Sequence, residues 1–229
     1  RLNQAHPDIL HDLAHPDRPR SAPGFIAAAL ARRRAAGLPP FTVLSCDNLP
    51  KNGKLARAVV LDFARALDDD LADWITVRGP FPSTMVDRIT PATTAQDVAR
   101  LAAEAGYHDP ACVVHEAFSQ WVIEDDFPQG RPAWEAVGAQ FVTSVEAHET
   151  MKLRFLNGPH STLAYLGYLA GYETIADTVA DPDFAALCRA LWGNEILPTL
   201  PHPEGEDLHA YCATLMARYR DPSIRHRTW

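Results

Sequence analysis

Near residue 145 of this 229-residue chain the arrangement of apolar residues changes character, and that change constrains the architecture more than any other feature. Upstream, short β-rich runs alternate with helical stretches. Residues 24–36 carry a helix-like run ending in three arginines, closed by Gly37, Pro39 and Pro40. Residues 41–46 (FTVLSC) read as a buried strand that leaves DNLP at its C-terminal edge, where open α/β sheets place ligand-binding groups. A helix over 53–67, a short strand over 74–77 and a helix over 95–105 follow. One or two strands over 113–124 then lead into an acidic turn containing Pro and Gly over 125–132. Downstream, residues 145–156, 161–170, 182–193 and 207–219 place apolar side chains at three- and four-residue spacing, punctuated by Gly171, Asp181, residues 198–203 and Pro222. The expectation is an α/β segment over 1–145 followed by a mainly α-helical domain over 146–229. The first 23 residues, rich in His, Asp and Pro, read as a loop with His6, His11 and His15 in solvent. The run LAYLGYLAGY (163–172) reads as a core helix whose Gly and Ala positions permit close packing.

Composition narrows the function classes. At 47% hydrophobic residues the chain can bury a substantial core, as one large domain or two small ones. Lys plus Arg number 21 against 29 Asp plus Glu, a net charge of −8, which argues against nucleic acid as a partner and for a small neutral or mildly acidic metabolite. Cys46, Cys112, Cys188 and Cys212 are widely spaced with no CxxC pair, so neither a disulfide framework nor a thiolate zinc site is indicated, and a reducing cytoplasm is the default compartment. No stretch approaches the ~20 apolar residues of a membrane span, and the opening RLNQAHP has no signal-peptide pattern.

The candidate chemistry lies in MKLRFLNGPHS (151–161). On a uniform helix Asn157 and His160 fall roughly 140° and 80° around the axis from Lys152, so a lysine, an amide and an imidazole border one cleft. Pro159 removes a backbone donor, and either kinks a continuing helix or opens a new one at its first turn. Oxidation of a secondary alcohol needs a base for the hydroxyl proton and donors for the transient alkoxide. Lys152 is the candidate base. A free lysine titrates near ~10.4 and has to be brought toward roughly 7–8, with Arg154 and His160 as the local groups available to do so. HETMK (148–152) begins like the HExxH of a zinc protease but puts lysine where the second histidine belongs, so no catalytic metal is expected.

Four blocks, FTVLSCDNLPKNG (41–53), FPSTMVDRITP (81–91), FSQWVIED (118–125) and the run from Lys152 through LAYLGYLAGY, together closely resemble the mannitol dehydrogenase family. These are zinc-independent polyol dehydrogenases that include mannitol 2-dehydrogenase and the fructuronate and tagaturonate reductases. The resemblance covers residues 38–229. It implies an NAD- or NADP-dependent, metal-free interconversion of a polyol or aldonate and its keto-sugar. The family's KxxxxNxxH motif matches Lys152 (general acid/base), Asn157 (alkoxide stabiliser) and His160 (substrate-hydroxyl binder). Its upstream catalytic asparagine matches Asn48, and Asp87 falls where the family has an aspartate bordering substrate and nicotinamide. A serine common among relatives is replaced by Pro159. The resemblance also makes residues 1–145 the C-terminal part of a Rossmann-like domain, and the sequence contains no GxGxxG turn. The chain therefore reads as a family member without its nucleotide-binding half and without a short C-terminal tail, inactive by itself; the competing reading is a non-catalytic binding or assembly module. A carboxylate substrate would call for a guanidinium, with Arg225 or Arg227 as the candidate. Mannitol against mannonate, NAD against NADP, and oligomeric state are left open.

Overall fold

The computed structural model describes residues 1–224 and 226–229, which fall into two compact units. One comprises residues 1–86 and 121–146, the other residues 87–120 and 147–229. The chain thus passes from the first unit to the second at Asp87, returns at Trp121, and leaves again after Glu146, where the sequence pattern suggested one boundary near 145.

In the first unit, α1 (Pro7–Ala14), α2 (Ala22–Ala35), α3 (Asn52–Leu67) and α4 (Asp69–Arg78) precede a three-stranded sheet of β1 (Thr84–Asp87), β2 (Gln120–Glu124) and β3 (Gln140–Val142). The strand order is β1-β2-β3, with β2 and β3 parallel and Val122 opposite Gln140. Leu30 of α2, Val60 and Ala64 of α3, and Leu71, Ala72 and Ile75 of α4 form the main core with Phe81 and Val43. Residues 7–14 are a helix, not the loop read from the sequence. Asp12, fully buried, explains the segment's order: it accepts from the backbone N–H groups of Arg20 and Ser21, both at 2.8 Å, and from Ser21 Oγ at 2.6 Å. Ser21 in turn caps α2, with Pro23 in the first turn.

Two strand expectations are corrected. Residues 74–77 lie inside α4, because the Asp68 carboxylate caps the helix at Asp70 N and the buried faces of Leu71, Ala72 and Ile75 follow helical spacing; packing overrides the β-leaning run Trp-Ile-Thr-Val. Residues 41–46 are not assigned as a strand: the backbone bond from Val43 N to Pro80 O at 3.1 Å is isolated rather than part of a ladder. Of the stretch 113–124, the strand is Gln120–Glu124.

The second unit holds α5 (Ala95–Ala105), most of α6 (Glu146–Lys152), α7 (Gly158–Ala170), α8 (Ile175–Ala180), α9 (Pro182–Ala190) and α10 (Leu208–Tyr219). Its core brings Phe155, Leu163, Val179, Trp192, Leu215 and Tyr219 together. The run 163–172 is only partly core. Leu163 and Gly167 are buried, whereas Tyr165 and Leu169 are 74% and 79% exposed. Gly167 does serve close packing, since a Cβ there would collide with the Thr178 side chain of α8. All four cysteines are free thiols, and among the described residues no helix is long and apolar enough to cross a membrane.

Gly167→Ala is expected to destabilise the second unit by about 1–3 kcal/mol, the usual cost of forcing extra volume into a packed contact. Thermal unfolding followed by circular dichroism checks this; an unchanged midpoint would mean that α8 yields freely.

Candidate active site

Lys152 ends α6, and the chain continues without leaving helical dihedrals through a π-helical turn, Leu153–Asn157, into α7. The N–H of Gly158 reaches back five residues to Leu153 O, the bond that defines the wider turn. Angles computed for a uniform α-helix therefore do not hold across Lys152 and Asn157. Pro159 takes the second of the two roles anticipated for it, opening α7 in its first turn. Its missing N–H would have served the carbonyl of Phe155, four residues back. That carbonyl accepts from Trp192 Nε1 at 2.9 Å, and the next one, of Leu156, accepts from the Tyr219 hydroxyl at 2.6 Å. Phe155, Leu156 and Pro159 are buried, while Lys152 and His160 are half-buried and Asn157 is exposed.

Beneath this turn sits a buried charge cluster. Arg218 of α10 offers one edge of its guanidinium to Asp87, with Nη1 and Nη2 both at 2.9 Å from the carboxylate oxygens. The other edge meets Glu116, with Nε at 2.9 Å and Nη2 at 2.8 Å. The Phe118 ring lies 4.1 Å from the guanidinium carbon. All three charged residues are at most 8% exposed. Asp87, expected beside the substrate and cofactor, therefore has both oxygens committed to Arg218, and its ion-pair partner is not the adjacent Arg88. Sequence reasoning missed Arg218 and Glu116. The signal available was position: Arg218 follows Tyr211 by seven residues and Leu215 by three, on the apolar face of its helix, where a charge needs a buried counter-charge.

Burial pushes the Lys152 ammonium below the ordinary lysine range; Asp87 opposes that shift and Arg218 adds to it. Arg154, one of the two influences anticipated, instead donates to the hydroxyl and carbonyl of Thr199 at 3.3 and 3.4 Å. His160 Nε2 lies 3.0 Å from Nδ1 of His226, a residue the sequence reading did not single out. Burial pushes His160 down to about 4, with His226 contributing, and burial lowers His226 as well. The C-terminal segment that carries His226 is held by Ile175 N donating to His226 O at 2.9 Å and by an antiparallel bridge between Thr174 and Arg227. Arg227 is exposed, its guanidinium carbon 5.4 Å from the Trp229 ring, and Arg225 lies outside the described residues. Among the described residues no group of three His, Cys, Asp or Glu side chains converges as a metal site.

Asn48 belongs to the first unit, and its segment is pinned there on both sides. Buried Asn52 donates to Asp47 O and to Thr84 O, both at 2.9 Å, and accepts from Thr84 N at 2.9 Å; the Thr84 hydroxyl donates to Ser45 O at 2.7 Å. At the start of α3, Gly53 packs against the backbone carbonyls of Phe81 and Pro82, where a Cβ would collide.

A parallel strand pair with flanking helices, followed by a helical unit presenting a burial-depressed lysine, defines a Rossmann-type domain joined to a helical C-terminal domain. Residues 4–136 match the mannitol dehydrogenase Rossmann domain and residues 144–229 the mannitol dehydrogenase C-terminal domain, so the chain belongs to the mannitol dehydrogenase family. It is 53% identical over 229 residues to D-mannonate oxidoreductase of Escherichia coli K12, covering 100% of this chain and 47% of that protein. Against mannitol 2-dehydrogenase of Phaeosphaeria nodorum it is 47% identical over 223 residues, 96% of this chain and 39% of that one. The chain spans about half the length of the curated relatives it matches, or less. Substrate-free D-sorbitol dehydrogenase superposes with a TM-score of 0.93 at 38% identity, over 99% of this chain and 47% of that chain. The ternary complex of Pseudomonas fluorescens mannitol 2-dehydrogenase with NAD and D-mannitol superposes with a TM-score of 0.83 at 47% identity, over 98% and 46%.

A histidine neutral in the fold down to about 4 but protonated near 6.5 when unfolded makes the unfolded chain the better proton binder between those values. Stability is accordingly expected to be complete above pH 6.5 and to fall as pH drops toward 4. Urea unfolding at half-unit pH steps checks this, and His160→Gln should flatten the slope.

Proposed function

We propose that this chain carries the proton-transfer and substrate-binding machinery of an NAD(P)-dependent, metal-independent oxidoreductase that interconverts the secondary alcohol of a polyol or aldonate and its keto-sugar. The observation that carries the reading is Lys152: the lysine at the family's motif position is half-buried, with its ammonium disfavoured by that burial. A neutral amine is what alcohol oxidation needs, since it takes the hydroxyl proton as the carbon gives up hydride. In reduction the same group returns the proton to the new alkoxide. Asn48 and Asn157 are assigned the amide donors to that oxygen, each worth about 3 kcal/mol if aimed as oxyanion-hole donors are. Neutral His160 is assigned to a substrate hydroxyl. The nicotinamide, when bound, supplies the hydride acceptor. The sequence contains no GxGxxG turn of the kind that cradles its pyrophosphate. The 229 residues alone are accordingly assigned no catalytic turnover.

Lys152→Ala in the full-length protein is expected to lower kcat for alcohol oxidation by roughly 10²–10⁴-fold while leaving NAD affinity unchanged, with partial recovery on adding a small primary amine. Steady-state kinetics beside calorimetric NAD titration check it; an unaltered kcat would remove Lys152 as the base.

The sugar-acid branch is favoured over the mannitol branch, supported by the higher identity to D-mannonate oxidoreductase. A substrate carboxylate is best held bidentately by Arg225 or Arg227. Replacing the responsible arginine by lysine is expected to raise KM for fructuronate far more than for fructose. Equal effects on both, or no turnover of any uronate, would return the assignment to a mannitol-type dehydrogenase.

A further inference from the structure

His160 and His226 lie 66 residues apart in sequence, yet their rings meet, with Nε2 of the first 3.0 Å from Nδ1 of the second and the centroids 4.5 Å apart. Both rings are held from elsewhere in the second unit. His160 stands in the first turn of α7 with its ring 6.2 Å from that of Tyr219, whose hydroxyl is tied to Leu156 O. His226 sits in a segment fastened through its backbone and a neighbouring side chain. Ile175 N donates to the His226 carbonyl at 2.9 Å, Arg227 bridges Thr174, and Thr228 donates from N to Glu173 O at 3.1 Å and from its hydroxyl to Tyr172 O at 2.9 Å. The fold itself therefore brings the two imidazoles together.

Two ring nitrogens at that distance form a hydrogen bond only if one carries the hydrogen and the other the lone pair. Two neutral arrangements satisfy this. If His226 donates from Nδ1, His160 must leave Nε2 bare, and both residues are in the Nδ1–H form. If His160 donates from Nε2, both are in the Nε2–H form, the more stable neutral tautomer of histidine. The second arrangement is favoured at both rings, and the bond then fixes which nitrogen of each keeps its lone pair. Burial disfavours the cation at both residues, so neither takes up a second proton near neutral pH.

We propose that His226 is a positioning residue that holds His160 in its Nε2–H tautomer, so that His160 Nδ1 meets the substrate as a hydrogen-bond acceptor and selects a hydroxyl that donates. The proposal rests on His160 being the residue that binds a substrate hydroxyl. Its consequence is chemical discrimination. A hydroxyl satisfies Nδ1, whereas a carbonyl or ether oxygen in the same place sets lone pair against lone pair and leaves both groups unpaired. An imidazole without His226 would lack that selectivity, because it can exchange tautomers and offer either a donor or an acceptor. The same bond restrains rotation of the His160 ring, whose face is set by Tyr219.

The test reads the tautomer first, without cofactor or turnover. The 229-residue chain is prepared with histidine carrying the heavy nitrogen isotope, and two-bond proton–nitrogen correlation spectra at neutral pH separate a protonated ring nitrogen from a bare one. His160→Gln identifies the His160 signals by their loss. The expected result is two widely separated nitrogens at His160, with the hydrogen on Nε2. His226→Leu removes the acceptor and should draw the two shifts together; His226→Asn, whose side-chain oxygen can stand near the place of Nδ1, should recover the separation. Hydrogen on Nδ1 in the unaltered chain, a separation there no wider than in His226→Leu, or no recovery in His226→Asn overturns the proposal. Should neither variant fold, the unaltered chain still decides: hydrogen held on Nε2 upholds the proposal, and hydrogen on Nδ1 or exchanging between the two overturns it. In the full-length protein, with the better turned over of mannonate and mannitol, His226→Leu is expected to raise KM roughly 3- to 10-fold and to leave kcat within about twofold. The two readouts fail separately. Spectra as expected beside an unchanged KM overturn the assignment of His160 to substrate, and the proposal with it; spectra that fail beside a raised KM overturn the part given to His226 and leave that assignment standing.

Discussion

One guanidinium shared by two carboxylates organises the second unit. Arg218 lies among apolar neighbours on α10, and a charge there without partners would cost several kcal/mol. Asp87 and Glu116 meet that requirement, and in doing so they tie residues 87–120 to the C-terminal helices. The constraint is geometric as well as electrostatic. Four hydrogen bonds between 2.8 and 2.9 Å leave the guanidinium plane little freedom, so Asp87, Glu116 and the end of α10 hold a set relation within the second unit.

Around that anchor the helix bearing Lys152 solves a second problem, how to pass a proline without breaking. The π turn and Pro159 together disturb the regular pairing of backbone carbonyls, and two side chains from elsewhere in the unit answer for it. Trp192 serves Phe155 O and Tyr219 serves Leu156 O. Because those carbonyls are buried, the partners are compulsory rather than ornamental. The wider turn also alters the angular relation of Asn157 to Lys152, so a lysine that is half-buried and an amide that is exposed lie five positions apart on one continuous helical stretch.

The first unit shows the same economy with neutral groups. Asn52 and Thr84 close a ring of bonds around residues 45–52, so the loop bearing Asn48 is held by the start of a helix and the start of a strand. Nothing in the run FTVLSC revealed that it would lack a ladder, since β propensity reports fitness for a pleated surface and not the presence of a neighbouring strand. Residues 74–77 were misread for the complementary reason: the cap at Asp68 and the helical burial of Ile75 outweigh a short β-branched run.

What the sequence determined by itself was the family, through four blocks in order, and the α/β-then-helical order; Lys152, Asn157, His160 and Asn48 are assigned by their match to the family's motif. Helices α2, α3, α5, α6, α7, α9 and α10 were legible for the same reason, their apolar periodicity being a local property, whereas the short α8 was not. Tertiary structure alone decided that Asp87 faces an arginine 131 residues away, that His160 meets His226 across 66 residues, and that Tyr165 and Leu169 are exposed on a helix that reads as core. A buried charge announces that it needs a partner but not which one, and a helix stripe announces that it is apolar but not what covers it. Those choices are made where distant segments meet, and the pairing that sets the environment of Lys152 is one of them.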